Sequence, residues 1–292
     1  MNQDPVLAIA LPLTLFCIMF SMGTTLVPAD FRRVIELPKV LILGLISQMI
    51  FLPLLALAVI GLLETPFRLQ PEIIVGFMIL AFSPGGTTSN MFSYLAGGRV
   101  ALSITLTALV SLITPITIPL LGALVLHWQM GEEASITLPF LPTFMKLAIV
   151  TFLPVSLGML LRNRKPEFCD RYKALLTQLP LFMLLAVIAG IIFNNLEKMP
   201  DFLKVTAIPA LLLASLALLL GYGIARLGRA DKRDARTVAI ETGIQNGGTA
   251  ILVTGTILQN QAMTIAPVMY GILMLIPTFA YIFWIRRTTL AE

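Results

Sequence analysis

The sequence is poor in three things that most soluble enzymes have: charged residues, histidine and cysteine. Only 12% of its 292 residues are charged, whereas 58% are hydrophobic, and the mean hydropathy is +0.93. This charged fraction is about half the usual value, too low to cover the surface of a soluble domain of this length. The composition therefore excludes a soluble globular protein and predicts an integral membrane protein.

The scarcity of histidine and cysteine excludes several kinds of site. His127 is the single histidine, so a histidine-based zinc centre is excluded. Cys17 falls within the first apolar run and Cys169 in a basic loop, which favours two unpaired cysteines over a disulfide. An intramembrane enzyme would need a nucleophile–base pair or a metal centre, and neither arrangement is present. We therefore expect a protein that is not an enzyme.

The basic residues form no single patch, although the net charge is +5 and the pI is about 9.4. This distribution argues against nucleic acid as a partner. They fall in alternate loops between the apolar runs, and one set of loops holds most of them: Arg32, Arg33, Lys39, Arg99, Arg162, Arg164, Lys165, Arg171, Lys173, Arg226, Arg229, Lys232, Arg233, Arg236, Arg286 and Arg287. The positive-inside rule makes these loops cytoplasmic. The N-terminus is then outside and the C-terminus inside a bacterial-type inner (plasma) membrane.

The apolar runs predict an all-α polytopic fold of about nine transmembrane helices. They lack the alternation of outer-membrane strands, and a span needs roughly 20 residues. The predicted spans are residues 5–27, 40–63, 72–96, 100–126, 137–161, 174–194, 205–225, 237–258 and 263–285. The first is longer than a signal-peptide core and is interpreted as a retained span. An odd number of spans agrees with the opposite placement of the two termini.

Two of the spans are interrupted by helix-breaking residues. "SPGGTTSN", residues 83–90, breaks the third span, and "ETGIQNGG", residues 241–248, breaks the eighth. A single kink in a membrane helix is usually structural. These two spans lie five apart and so cross the membrane in opposite directions, a pattern typical of inverted-repeat secondary transporters with a site between broken helices.

The breaks expose backbone groups that a ligand can satisfy. The second half of span three begins near Thr87 and offers amide groups to an anion. The first half of span eight ends near Glu241, Thr242 and Ile244 and offers carbonyl groups to a cation. Glu241 is the only acidic residue placed in the interior of a span, and such a carboxylate normally faces a cavity or a partner. A bound cation would supply the missing charge.

Several side-chain oxygens lie where they could complete a cation site around Glu241. Ser103 and Thr107 are spaced i, i+4 and share one helical face, and Ser89 and Asn90 begin the second half of span three. Oxygen donors of this kind suit an alkali or alkaline-earth ion. Ser103 and Thr107 alone would more often bond to their own helix, so their candidacy depends on the breaks.

Lys146 is the one basic residue placed within a span. It could snorkel towards an interface, face the interior of the bundle or meet the charge of a substrate, and the sequence leaves these roles open.

The sequence resembles the bile acid:sodium symporter family, which includes bacterial homologues of the apical sodium-dependent bile acid transporter. The resemblance is carried by "SPGGTTSNMFSYLAGGRVALSITLTALVSLITP", "ETGIQNGG", "MFSMGTTLVPADF" and "SQMIFLPLLA", and it runs through nearly the whole chain. It implies a core domain with two crossing broken helices and a panel domain that rock against each other.

The resemblance also divides the chain. The core would cover about 40–126 and 205–285, and the panel about 5–27 and 137–194. Bacterial relatives often have ten spans, and this chain begins at what is similar to their second helix. The panel composition and the oligomeric state are therefore left open.

The family's two sodium sites carry over onto this chain by position. The first would use Ser89, Asn90, Ser103, Thr107 and Glu241, and the second Gln48, Glu241, Gln245 and the backbone carbonyls of Thr242 and Ile244. The substrate is expected near Thr87 and Asn246. The family implies an organic anion, either bile acid-like or a small carboxylate such as a pantoate-like acid.

The sequence thus predicts a sodium-coupled symporter that imports an organic anion by alternating access. The main alternative is a proton-coupled transporter in which Glu241 carries the proton. A channel is a further alternative, although two glycine-broken helices argue against an open pore.

Overall fold

The computed structural model describes residues 5–27, 38–86, 88–131 and 138–290. All regular elements in these ranges are helices, and their one extended pairing is an isolated antiparallel bridge between Gly85 and Gln245. Helices suit a chain this apolar because each satisfies its backbone hydrogen bonds internally. The predicted all-α membrane fold is confirmed at this level.

The helices are numbered here in chain order. They are α1 (Pro5–Thr25), α2 (Pro38–Phe67, with a π-helical turn at Ser47–Phe51), α3 (Pro71–Ala81), α4 (Ser89–Leu95), α5 (Val100–Met130), α6 (Phe140–Arg164), α7 (Pro166–Arg171), α8 (Lys173–Asn194), α9 (Met199–Leu227), α10 (Lys232–Gly243), α11 (Gly247–Ile257, π-helical from Leu252), α12 (Gln261–Leu273) and α13 (Leu275–Leu290).

Six helical segments among the described residues are long and apolar enough to cross a membrane. They are Pro38–Phe67, Val100–Met130, Phe140–Arg164, Lys173–Asn194, Leu196–Leu227 and Gln261–Arg287. Ile9–Thr25, Pro71–Ala81 and Gly247–Ile257 are apolar but shorter. The last two are halves of the interrupted helices, which explains their length. The protein is therefore a multi-span membrane protein, and the count of nine spans stays a prediction.

The two interruptions cross each other and exchange backbone hydrogen bonds. The N–H of Gly86 donates to the carbonyl of Ile244 at 3.1 Å, and the N–H of Asn246 donates to the carbonyl of Pro84 at 2.9 Å. Pro84 has no N–H of its own to leave unpaired. Each break thus satisfies part of the other, which allows non-helical backbone inside the protein at this depth.

Most of three of the four halves of the broken helices, α3, α10 and α11, is buried inside the molecule. All residues of α3 from Ile73 to Ala81 are buried, as are those of α10 and α11 from Thr237 to Thr254. α3 packs against α12, α10 packs along α9, and α5 contacts both α3 and α10. The two helix interruptions therefore lie in a buried part of the fold.

The helices α1, α6 and α8 form a second group. α1 packs along α6 and α8 and touches α11 on its other side. At the α1–α6 crossing, a Cβ added at Gly23 would meet the backbone of Val155, and one at Gly158 would meet the backbone of Phe20. Glycine is required at this crossing because the two backbones are in contact.

Candidate cation site at the crossing of two broken helices

The carboxylate of Glu241 lies in the last turn of α10, is 1% exposed and accepts hydrogen bonds from three hydroxyl groups. Its Oε1 accepts from Ser89 Oγ and Ser103 Oγ, and its Oε2 accepts from Thr107 Oγ1 at 2.8 Å. The hydroxyls come from two other helices, α4 and α5. The structure therefore brings these four predicted residues together, and we call them the Glu241 cluster.

Local sequence spacing explains this convergence. Ser103 and Thr107 are one turn apart on α5, so both hydroxyls face α10. Ser89 is the first residue of α4, where the chain resumes its helix after the break, and its Oγ lies 3.4 Å from Thr107 Oγ1. All three hydroxyl-bearing residues are buried. The break in the third span is thus what delivers Ser89 to the carboxylate.

Ser93 extends the hydrogen-bond network of the Glu241 cluster and was not predicted from the sequence. It is fully buried, and its Oγ donates to Ser103 Oγ at 3.2 Å. It lies one turn after Ser89 on α4, the same i, i+4 spacing that identified Ser103 and Thr107. Ser93 therefore orients a hydroxyl that binds the Glu241 carboxylate.

Asn90, a predicted ligand, follows Ser89 on α4 but is placed differently. Its Oδ1 is buried and has no hydrogen-bond partner among the described residues. The structure gives no hydrogen bond between this amide and the Glu241 carboxylate, in the part of the chain that it describes. Asn90 Oδ1 is thus a buried, unpaired oxygen on the residue that follows Ser89 in the chain.

Two glutamine side chains lie on the other side of Glu241. Gln48 lies in the π-helical turn of α2, and both its amide atoms are buried without a partner in the described ranges. A Cβ at Gly85 would lie 2.7 Å from Glu241 Oε2 and 3.1 Å from Gln48 Nε2. Gly85 therefore separates Gln48 from the carboxylate, and its lack of a side chain permits their approach.

Gln245 has one paired and one unpaired amide atom. Its Nε2 donates to the carbonyl of Thr242 at 2.9 Å, while its Oε1 is buried without a partner in the part of the chain described. Burying an unpaired amide oxygen costs on the order of 1–3 kcal/mol, so such groups call for an explanation. A bound cation would satisfy the unpaired amide oxygens, Gln48 Oε1 and Gln245 Oε1.

The end of α10 is held by hydrogen bonds to its last turn. Thr242 Oγ1 donates to the carbonyl of Val238 at 2.8 Å and lies 2.9 Å from Ser47 Oγ. Tyr270 of α12 is fully buried and donates its hydroxyl to the carbonyl of Gly243 at 2.9 Å. The carbonyls of Thr242 and Ile244 each accept one hydrogen bond and keep a second lone pair.

Of the two predicted substrate residues, Asn246 lies within the described part of the chain. Thr87 lies outside the described residues. Asn246 is the N-cap of α11: its Oδ1 accepts from the N–H of Thr249 at 3.1 Å, and its Nδ2 is buried without a partner in the described chain. A Cβ on nearby Gly248 would approach Leu184 of α8 and Ile18 of α1. The start of α11 therefore faces the α1–α8 side.

Three other residues were weighed from the sequence. Lys146 is exposed on α6, about two turns after the helix begins. Cys17 and Cys169 are both free, as the sequence predicted.

The available donors fit a hard cation. They are carboxylate, hydroxyl, amide and carbonyl oxygens, and the described residues hold no group of three or more histidine, cysteine or acidic ligands. Oxygen donors of this kind suit alkali and alkaline-earth ions. The fold and this cluster define the class: a multi-span helical membrane protein whose two interrupted helices cross at a buried, oxygen-lined carboxylate.

Comparisons with known proteins identify the family. The model of the sodium bile acid symporter family matches residues 12–201, more than half of the chain. The chain is 30% identical over 235 residues to a Bacillus subtilis protein named an uncharacterized sodium-dependent transporter, a match that covers 79% of this chain and 69% of that protein. The chain belongs to the sodium bile acid symporter family, as its motifs predicted.

Eukaryotic relatives are similar to the same degree. The chain is 29% identical over 251 residues to the human hepatic sodium/bile acid cotransporter, with 83% of this chain and 68% of that one covered. It is 30% identical over 243 residues to a probable chloroplastic sodium/metabolite cotransporter of Arabidopsis thaliana. That match covers 83% of this chain but only 57% of the plant protein, so the chain spans little more than half of that relative. All three relatives are named as transporters or cotransporters.

Proposed function

We propose that this protein is a sodium-coupled symporter that imports an organic anion by alternating access. One observation carries the proposal: a buried carboxylate at the crossing of two broken helices collects hydroxyl oxygens from separate segments, with unpaired amide oxygens beside it. Membership of a family of sodium-dependent transporters agrees with it.

The first sodium ion would bind at the Glu241 cluster together with Asn90. The carboxylate supplies the negative charge, and the oxygens of Ser89, Ser103 and Thr107 can turn from the carboxylate to the ion. Asn90 Oδ1 is supported by being buried and unpaired. These ligands come from both interrupted helices, so a bound ion would tie α4 and α5 to α10.

The second sodium ion would use Gln48, Gln245, Glu241 and the carbonyls of Thr242 and Ile244. Gln48 Oε1 and Gln245 Oε1 are buried and unpaired, and Gly85 leaves space between Gln48 and Glu241. Because Glu241 is shared, binding of one ion would alter the charge that the other meets. Two ions per cycle are the proposed stoichiometry.

The substrate would be an organic anion bound near Thr87 and Asn246. The unpaired Nδ2 of Asn246 is a donor at the start of α11, where the helix dipole also favours a negative group. The human relative is named for bile acids and the plant relative for metabolites, and we propose a bile acid-like or small carboxylate substrate.

The moving parts would be a panel of α1, α6 and α8 and a core of the remaining long helices, in nine spans with the N-terminus outside the inner membrane. Two cavities lie where these groups meet. One of about 250 Å³ is lined by Leu26, Leu112 and Phe152, and one of about 330 Å³ by residues that include Arg68, Ile191 and Gln261. Rocking of the panel would open these cavities in turn.

The membrane potential would favour uptake. Two sodium ions with a monoanion move one net positive charge inward, which is worth about 2.3 kcal/mol per 100 mV, in addition to the two sodium gradients.

Uptake of labelled taurocholate and pantoate into proteoliposomes tests this function. We expect accumulation of one of them under an inward sodium gradient and its loss in Glu241→Gln, which keeps the shape but removes the charge. Accumulation that persists when potassium replaces sodium would contradict sodium coupling, and accumulation driven by a pH gradient alone would select the proton-coupled alternative.

A further inference from the structure

An ion-pair network joins α5 to α10 next to the Glu241 cluster. Arg99, the N-cap residue of α5, places Nε 2.6 Å from Asp234 Oδ1 and Nη2 2.7 Å from Asp231 Oδ2. The Asp234 side chain is 6% exposed, whereas that of Arg99 is 42% exposed. A buried carboxylate of this kind depends on its partner, because removal of the partner leaves an uncompensated charge.

The same residues also make backbone contacts. Asp231 is the N-cap of α10 and accepts from the N–H of Asp234 at 2.7 Å, so it fixes the start of that helix. The N–H of Arg99 donates to Thr237 Oγ1 at 2.7 Å. A Cβ on Gly98 would lie only 2.6 Å from this hydroxyl, so the loop before α5 rests directly on α10.

These contacts are in register with the Glu241 cluster. Arg99, Ser103 and Thr107 follow one another at four-residue intervals, and Thr237 precedes Glu241 by four residues. One helical turn, roughly 6 Å, therefore separates the Arg99–Thr237 contact from the Ser103–Glu241 contact on both helices. Successive bonds between α5 and α10 thus share one register.

We propose that Arg99, through Asp234, is a positioning residue that sets the sodium affinity of the Glu241 cluster by fixing α5 against α10. Among the described residues, the Arg99 side chain pairs with Asp231 and Asp234 and not with the cluster, whereas its backbone carbonyl accepts from the N–H of Ser103 at 3.2 Å. Arg99 therefore acts through the two helices. Helices that are held in place before the ion arrives leave only the hydroxyl groups to turn when it binds, which increases affinity. The inference rests on the proposed sodium coupling.

The test is a sodium titration of the purified full-length protein, followed by thermal unfolding with sodium chloride replacing potassium chloride. A ligand that binds the folded state raises the unfolding temperature by mass action, so no transported anion is needed. Arg99→Gln is expected to raise the sodium concentration for half-maximal stabilisation about tenfold, as outer contacts of ion sites do. Arg99→Lys keeps the charge but cannot bind both carboxylates at once. Its sodium midpoint is expected to lie between those of the wild type and Arg99→Gln.

A purely structural role would give a different result. It would lower the unfolding temperature in potassium chloride and leave the midpoint of the sodium titration within about twofold of the wild type, and that outcome would overturn the proposal. Arg162→Gln is the matched control. Arg162 Nη1 lies 2.6 Å from Asp170 Oδ1, and this ion pair is not part of the contact between α5 and α10. We expect its sodium midpoint to be unchanged.

A double variant controls for misfolding of Arg99→Gln. The double variant Arg99→Gln/Asp234→Asn leaves no unpaired buried charge and is expected to show the same shift of about tenfold. If the wild type itself shows no response to sodium, both the proposed function and this inference fail. A wild type that responds together with variants that match it overturns the inference alone.

Discussion

At the scale of single residues, the proposed function depends on a buried carboxylate that hydroxyl groups already surround. Glu241 receives three hydroxyl hydrogen bonds, and a fourth hydroxyl, that of Ser93, bonds to one of the donors. A membrane-buried carboxylate is costly unless such partners accompany it. Residues at one remove from Glu241 should therefore influence sodium binding measurably, though less than Glu241 does.

Ser93→Ala tests this graded effect. Loss of one neutral hydrogen bond, worth about 1 kcal/mol, is expected to raise the half-saturating sodium concentration about fivefold. Sodium titration followed by thermal unfolding measures it. The matched control is Ser215→Ala on α9, whose hydroxyl donates to the carbonyl of Leu211 on the same helix. Equal shifts in both variants would contradict a specific role for Ser93.

Gly85→Ala tests whether the space beside the carboxylate matters. The added Cβ would lie 2.7 Å from Glu241 Oε2, so either the carboxylate or the broken segment must shift. Overpacking of this kind costs about 1–3 kcal/mol, and we expect the sodium response to be lost or strongly weakened. Gly61→Ala, at a glycine with open space around it, is the control. A sodium midpoint that is the same in Gly85→Ala as in the control would refute the close approach.

At the scale of elements, the two breaks stabilise each other. Gly86 and Asn246 donate across the crossing, and Tyr270 covers the last carbonyl of α10. The contact between α1 and α6 has another basis, since two glycines let the backbones touch. The hydrogen bonds across the crossing position the proposed ion ligands, whereas the glycine contact between α1 and α6 holds the proposed panel together.

Gly158→Ala tests the contact between α1 and α6. The Cβ would lie 2.8 Å from the N of Thr24 and close to the carbonyl of Phe20, so the helices must separate. We expect a loss of about 1–3 kcal/mol in stability, seen as a lower unfolding temperature, with the sodium midpoint unchanged. Gly190→Ala on α8, where no atom lies close, should leave the unfolding temperature unaltered. A changed sodium midpoint in Gly158→Ala would show that this contact also shapes the ion site.

Much of the site could be predicted from sequence because its signals are local. The Pro–Gly interruptions mark the breaks, and the four-residue spacing of Ser103 and Thr107 predicts a shared face. The pairing of Arg99 with Asp234 was not predicted, because the two lie 135 residues apart and meet only when α5 packs on α10. The position of the unpaired Gln48 amide likewise depends on a π-helical turn, which no local sequence pattern predicts.

At the scale of the whole molecule, the proposed ion site and the proposed moving interface lie close together. Gly248, two residues after Asn246 at the start of α11, faces Ile18 of α1 and Leu184 of α8. A sodium ion that orders the crossing would therefore also order the surface on which the panel rests. This arrangement would account for the proposed coupling between ion and anion without direct contact between them.

Direct binding of radioactive sodium to the purified protein tests the central claim, which is that Glu241 and its hydroxyl partners hold a sodium ion. The account predicts saturable binding to the wild type, competed by unlabelled sodium but not by potassium, and its loss in Glu241→Gln with Arg162→Gln unaffected. Equal saturable binding by the wild type and Glu241→Gln, or none by a folded wild type, would contradict it.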